Sequence, residues 1–243
     1  NVMRARLWDS VSVGAAGDTG AGAAVAHDIF SRFESASGEY GAHEMLESTS
    51  ESNYVTFEDA LGALRTDGLE AGDIETARDE ATTASTQLAE AQNSLAGENH
   101  AEVLELQLLG VTAQNATMQA ETGHFEAAGT TAENLLSQFE AASVHDSLES
   151  ADSESYESFE GALESIGTAA NDEDAEAVGT AAADAHSAAV DGSYAVADSD
   201  TIAGTGHIAA LQARGWDAAA LSAMGGPSAD FAHAAALTIY RAR

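Results

Sequence analysis

The chain repeats itself. His43–Leu61 reads HEMLESTSESNYVTFEDAL and His145–Leu163 reads HDSLESADSESYESFEGAL, with nine of nineteen positions identical at a constant offset of 102. Just upstream, Ala26–Ser37 (AHDIFSRFESAS) matches Ala132–Ser143 (AENLLSQFEAAS) at an offset of 106, and both segments carry a Phe-Glu pair, Phe33-Glu34 and Phe139-Glu140. The four-residue change of offset falls in 38–42, where a loop between helices belongs. A duplicated block must fold the same way twice and offer each copy a face to bury against the other. Further on, Gly215-Trp216 takes the place of Gly17-Asp18 and Gly123-His124, which predicts a partial third copy beginning near Ser199.

Apolar residues recur at helical spacing, β-branched runs of strand type are missing, and Gly-Asp, Asp-Gly and Gly-Glu pairs punctuate the breaks. Each copy reads as four helices: 2–15, 18–36, 43–65 and 73–96 in the first, then 99–122, 124–142, 145–167 and 172–195 in the second. Two more follow, 199–214 and 217–242, with Gly225-Gly226-Pro227 interrupting the last. The expected fold is all-α: tandem four-helix bundles over 1–97 and 98–196, with an additional C-terminal helical pair over 197–243.

Charge narrows the chemistry. The 243 residues carry 41 Asp and Glu against eight basic residues, a formal charge of −33, and every basic residue is an arginine. Such a chain repels a nucleic-acid backbone. With no lysine and no cysteine, Schiff-base chemistry, thiolate ligands and disulfides are excluded. No apolar run reaches 18 residues, so no membrane span is expected. At low ionic strength this composition belongs with disordered chains. At molar salt the screening length falls to about 3 Å, and a packed fold becomes tenable. The expected setting is therefore extremely saline. The first residue is Asn1 and no apolar signal segment follows it, so an export signal or anchor is expected outside 1–243. One glycosylation sequon, Asn115-Ala116-Thr117, falls inside a predicted helix.

One stripe could carry chemistry. If 43–65 is one helix, turning about 100° per residue from His43 puts Tyr54, Glu47 and Glu58 at roughly 20°, 40° and 60°, beside the apolar flank of Leu46, Phe57 and Leu61. His145, Glu149, Tyr156 and Glu160 repeat the pattern. Imidazole and carboxylate at the inner edge of a bundle are the usual ligands of Zn, Fe, Mn or Cu(II). The candidate ligands are His43, Glu47 and Glu34, with His145, Glu149 and Glu140 as a second set. The alternative is structural: the histidines pack or cap, and the carboxylates are a solvated, salt-adapted edge. No nucleophile elbow, phosphate loop, HExxH or dinucleotide fingerprint is present, so an enzyme is not expected.

Three resemblances bear on these residues. Gly17-Asp18, Phe33-Glu34 and Leu61-Gly62-Ala63-Leu64-Arg65 resemble the helical extracytoplasmic domain of bacterial iron permeases. Glu39-Tyr40-Gly41-Ala42-His43 resembles the opening of the Gly-x-His-x-x-Glu motif of imelysin-like proteins, with Leu46 in the acid's place and Glu47 one position on. Arg4-Ala5-Arg6-Leu7 and the stretch from Phe33-Glu34 to Glu47 look most like an uncharacterised haloarchaeal helical domain that accompanies halocyanin-like blue-copper domains. These resemblances imply an exported, cell-surface protein that binds or hands on a transition metal (iron or copper, with zinc a third candidate). A surface copper or iron protein is the implied partner. The competing expectation is a metal-free acidic spacer or partner-docking module.

Overall fold

A computed structural model describes residues 1–38, 41–197 and 200–224. Among them no strand occurs. The elements are α1 (Val2–Ala15), α2 (Thr19–Ser35), α3 (Ala42–Thr49), α4 (Glu51–Ala63), a π-helical turn (Leu64–Leu69), α5 (Ile74–Ala96), α6 (Glu98–Glu121), α7 (Phe125–Ala141), α8 (Val144–Ala151), α9 (Ser153–Asn171), α10 (Ala175–Val196) and α11 (Asp200–Met224). Acidic N-caps recur because a short carboxylate satisfies the orphan amides of a first turn. Asp18, Asp73 and Asp174 accept from Ala21, Thr76 and Ala177. Gly17 and Gly123 end α1 and α6 in the left-handed region, at φ 87° and 81°, where a side chain would be strained.

The third helix expected in each copy is two helices. Ser50 and Asp152 are extended, at φ −161° and −154°, and each caps the helix that follows it. Ser50 Oγ accepts from the Asn53 amide at 3.2 Å, while Asp152 Oδ1 accepts from Glu154 and Ser155 at 3.1 and 3.2 Å. Short polar side chains compete with the helix for backbone amides, so each run breaks where one of them finds a better partner. The C-terminal expectation also changes. Residues 200–224 form one helix straight through Gly215, and no third copy of the Gly17 turn is made there. Glu39-Tyr40, Gly225-Gly226-Pro227 and most of the expected 217–242 helix lie outside the described residues.

Two hydrophobic cores result. Leu7, Ile29, Phe33, Phe57 and Leu61 centre the first, inside α1–α5, and Leu109, Leu135, Phe139, Phe159 and Ile166 the second, inside α6–α10. Helices α1 and α6 lie between them, buried almost all round. They run side by side in the same direction: Asn1 Nδ2 donates to Leu104 O, Asn115 Nδ2 to Asp9 Oδ1 and Gln119 Nε2 to Ser12 O, at 3.1, 3.0 and 3.5 Å. Asn115 is 1% exposed, so its sequon is closed to glycosylation in the folded chain. Ala5, Leu108, Val111, Ala210 and Ala213 form a third, small cluster where α11 lies across this seam.

Three of the eight scarce cations are inside. Arg4, Arg6 and Arg214 are all buried, in a chain whose surface is overwhelmingly acidic. Arg6 pairs with Asp217 and, at 2.8 Å, with Asp28; Arg214 pairs with Asp9 and donates to Val111 O at 2.9 Å. Asp9 and Asp217 also face each other. Burial and the neighbouring Asp9 charge push the Asp217 carboxyl well above the usual range, against the pull of Arg6. Trp216 lies under Arg32 and Arg6, whose guanidinium carbons are 4.3 and 5.7 Å from its ring centre. These contacts hold α11 continuous through Gly215.

Candidate metal centre

A four-ring knot organises the first site. Phe33 on α2 is buried, and its ring centre lies 5.2 Å from His43 on α3, 6.1 Å from Tyr54 and 4.9 Å from Phe57 on α4. The turn that aims His43 is tight. A Cβ on Gly41 would lie 2.1 Å from Ala36 O, so only glycine fits there. His43 stacks edge-on against Tyr54 with centres 5.0 Å apart, and the Tyr54 hydroxyl hydrogen-bonds its Nε2 at 3.1 Å. Tyr54 and Glu58 are four residues apart on α4 and share a face.

Carboxylates rim this knot. Glu34 follows the buried Phe33, so its side chain turns to the edge, with Oε1 3.7 Å from His43 Nε2. One ligand atom each from Glu34, His43 and Glu58 lies within 4.8 Å of the other two. Burial pushes the Glu58 carboxyl above its ordinary range, and Glu34, close enough to share a hydrogen with it, pushes the same way; Tyr54 and His43 pull it back. Burial, a hydrogen bond to Glu58, and the charges of Glu58, Glu34 and Glu47 push the Tyr54 phenol up to about 12. Tyr54 is therefore a neutral donor. A half-buried carboxyl whose charged form is disfavoured, with an exposed carboxylate and an imidazole beside it, is a place where a divalent cation would replace a proton.

The second copy repeats the rings. Phe139 lies 5.2 Å from His145, 5.8 Å from Tyr156 and 4.9 Å from Phe159, and the Tyr156 hydroxyl meets His145 Nε2 at 3.0 Å. Burial and then Glu160, Glu149 and Glu140 push Tyr156 upward too. The carboxylates do not close in as before. Among the described residues, Glu34, His43 and Glu58 are the one set of three whose ligand atoms converge within that span. His145 Nδ1 instead bonds Asp146 at 2.9 Å. Residues 1–243 match the family described as Domain of unknown function (DUF5059). The chain belongs to that family. No curated protein and no solved structure matches it.

Of the six ligands read from the sequence of this DUF5059 chain, the structure brings Glu34 and His43 together. Glu47 sits on α3, exposed and outside the converging set, though its charge reaches Tyr54. His145, Glu140 and Glu149 gather around Tyr156 without reaching that span. Glu58 was on the predicted stripe but not among the predicted ligands. Its signal was the Tyr54–Glu58 spacing on α4, which survives the break at Ser50. Of the other histidines, His27 contacts Arg65 at 3.2 Å, and His186 is buried on α10 beside Gly110.

Proposed function

We propose that the chain binds one transition-metal ion, iron or copper with zinc as a third candidate, at Glu34, His43 and Glu58. One observation carries the reading: these three side chains come from three helices, and their ligand atoms gather within 4.8 Å. Metal–ligand bonds of about 2 Å require ligand atoms roughly 3–4 Å apart, so exposed Glu34 needs only a small rotation to close the site. The charge and the resemblances extend the proposal. The protein works at high salt, is exported by a haloarchaeon, sits at the cell surface, and passes its metal to a copper or iron protein without catalysing a reaction. Among the described residues no helix is long and apolar enough to cross a membrane.

The test is metal-free protein in about 3 M salt, equilibrated separately with Fe(II), Cu(II) and Zn(II). The expected result is one tightly bound ion per chain, lost in His43→Ala. Tight binding absent for every metal, or indifferent to that substitution, overturns the proposal. A second reading is favoured by the rings. His43 and His145 are each locked between a phenylalanine and a tyrosine, as packing groups would be. On that reading the chain is a metal-free acidic spacer or docking module, and His43→Ala lowers stability only.

A further inference from the structure

Where the two cores meet, α1, α5, α6 and the end of α7 enclose an open cleft of about 510 Å3. Its floor is Arg4, only 5% exposed. All three guanidinium nitrogens are committed: Nε donates to Ser85 Oγ at 3.0 Å, Nη1 to Gln92 Oε1 at 3.2 Å, and Nη2 pairs with Glu105 Oε2 at 2.6 Å. Each partner keeps something to offer. Ser85 accepts from Arg4 and retains its O–H, Gln92 retains its amide hydrogens, and Glu105 retains its second oxygen. Along α5 the hydroxyls of Thr82, Thr83 and Thr86 donate back to their own helix at Arg78, Asp79 and Thr82. Ser85 is drawn into the cleft instead. Trp8 on α1 and Gln138 on α7 line the same space.

We infer that this cleft binds a neutral, polyhydroxylated molecule, a mono- or disaccharide. An indole offers an apolar face for the C–H side of a sugar ring. Planar amide and carboxylate groups pair with neighbouring hydroxyls, and here they are held in place beforehand by a buried cation. Glu105 cancels the Arg4 charge, and Glu90, Glu98 and Glu102 also line the cleft, so an anionic ligand is repelled. The volume is that of an ordinary small-molecule site, and the seam between two units is a common place for one. The inference is independent of the metal proposal, since the cleft and the Glu34–His43–Glu58 centre share no residue.

The experiment titrates the full chain in about 3 M salt with glucose, galactose, mannose, maltose and trehalose. The readout is the indole N–H signal of Trp8 by NMR, assigned with Trp216→Phe. At least one sugar should give a saturable shift below about 50 mM. Gln92→Leu and Gln138→Ala should each weaken it about tenfold, with helix content by circular dichroism unchanged. Both positions are half-buried; Gln92→Leu also takes a partner from buried Arg4, whereas Gln138 is not among the partners of Arg4, so Gln138→Ala reads the cleft apart from the fold. The inference fails if no sugar saturates the signal, if spermidine shifts it and the sugars do not, or if Gln92→Leu binds as tightly as the parent.

Discussion

The two ring knots are near-superposable in chemistry and different at their rims. Phe33 and Phe139 stand equally far from their histidines, at 5.2 Å, and from their partner phenylalanines, at 4.9 Å. Both tyrosines reach a histidine Nε2 within 3.1 Å. Yet the acids converge at His43, and the same acid positions around His145 do not. The interior of a repeat is fixed by packing, whereas its rim is free to vary. Four extra residues in the first loop and Asp146 beside His145 in the second are the visible differences. What the pair teaches is that conserved-looking rings set where a site could be, and the exposed acids decide whether it is there.

Breaking both copies at once gives the largest expected effect. Dialysis from about 3 M to 0.1 M salt removes screening from a chain of net charge −33. Most of the helical circular dichroism signal should be lost, and an unchanged melting curve in the two buffers would contradict this. Next comes the comparison of histidines. His43→Ala should weaken metal binding by roughly 100-fold, and His145→Ala by less than about threefold, as read by competition with a chelating dye. Equal losses would make the rims equivalent.

A finer test uses the acids. The folded-state pKa of Glu58 is raised, so the native apo protein holds this proton more tightly than the unfolded chain does. Its contribution is therefore present below the ordinary glutamate range and lost as pH rises through the raised value. Glu58→Gln should raise the apo melting temperature at pH 7, whereas Glu160→Gln leaves it nearly unchanged. Metal affinity should fall as pH drops through the raised Glu58 pKa, because protons then compete for the carboxylate. The smallest effect concerns Asp217, whose pKa is raised in the same sense by burial and Asp9. Asp217→Asn should change stability little at acidic pH and flatten the decline that this carboxyl is expected to impose above about pH 4, measured by urea unfolding across pH.

Much of the fold was legible because apolar periodicity and caps are local. The all-α architecture and most helix ends follow from Leu and Phe spacing and from Gly17, Asp18 and Gly97. The breaks at Ser50 and Asp152 were not, since the runs across them keep an apolar stripe and only a cap contact ends the helix. That break does not account for the partial ligand set: His43 and Glu47 share α3, where counting 100° per residue still holds, yet Glu58, across the break on α4, joins the converging set and Glu47 does not. The seam was illegible for another reason. Arg6 meets Asp217 across 211 residues and Arg4 meets Glu105 across 101, and no periodicity in the sequence links such pairs. Gly215 misled similarly, because the glycine that ends a helix at 17 continues one where Trp216 and Asp217 are pinned.

The parallel pairing of α1 with α6 has an evolutionary consequence. Asn115 sits 106 positions after Asp9, the same step that relates Phe33 to Phe139, and the two side chains touch. Two identical chains joined along this face with Asp9 in each would set aspartate against aspartate. In a single polypeptide the two positions are free to differ: here one is an amide and the other an acid, and one Arg214 pairs with that acid where a symmetric pair would need two cations.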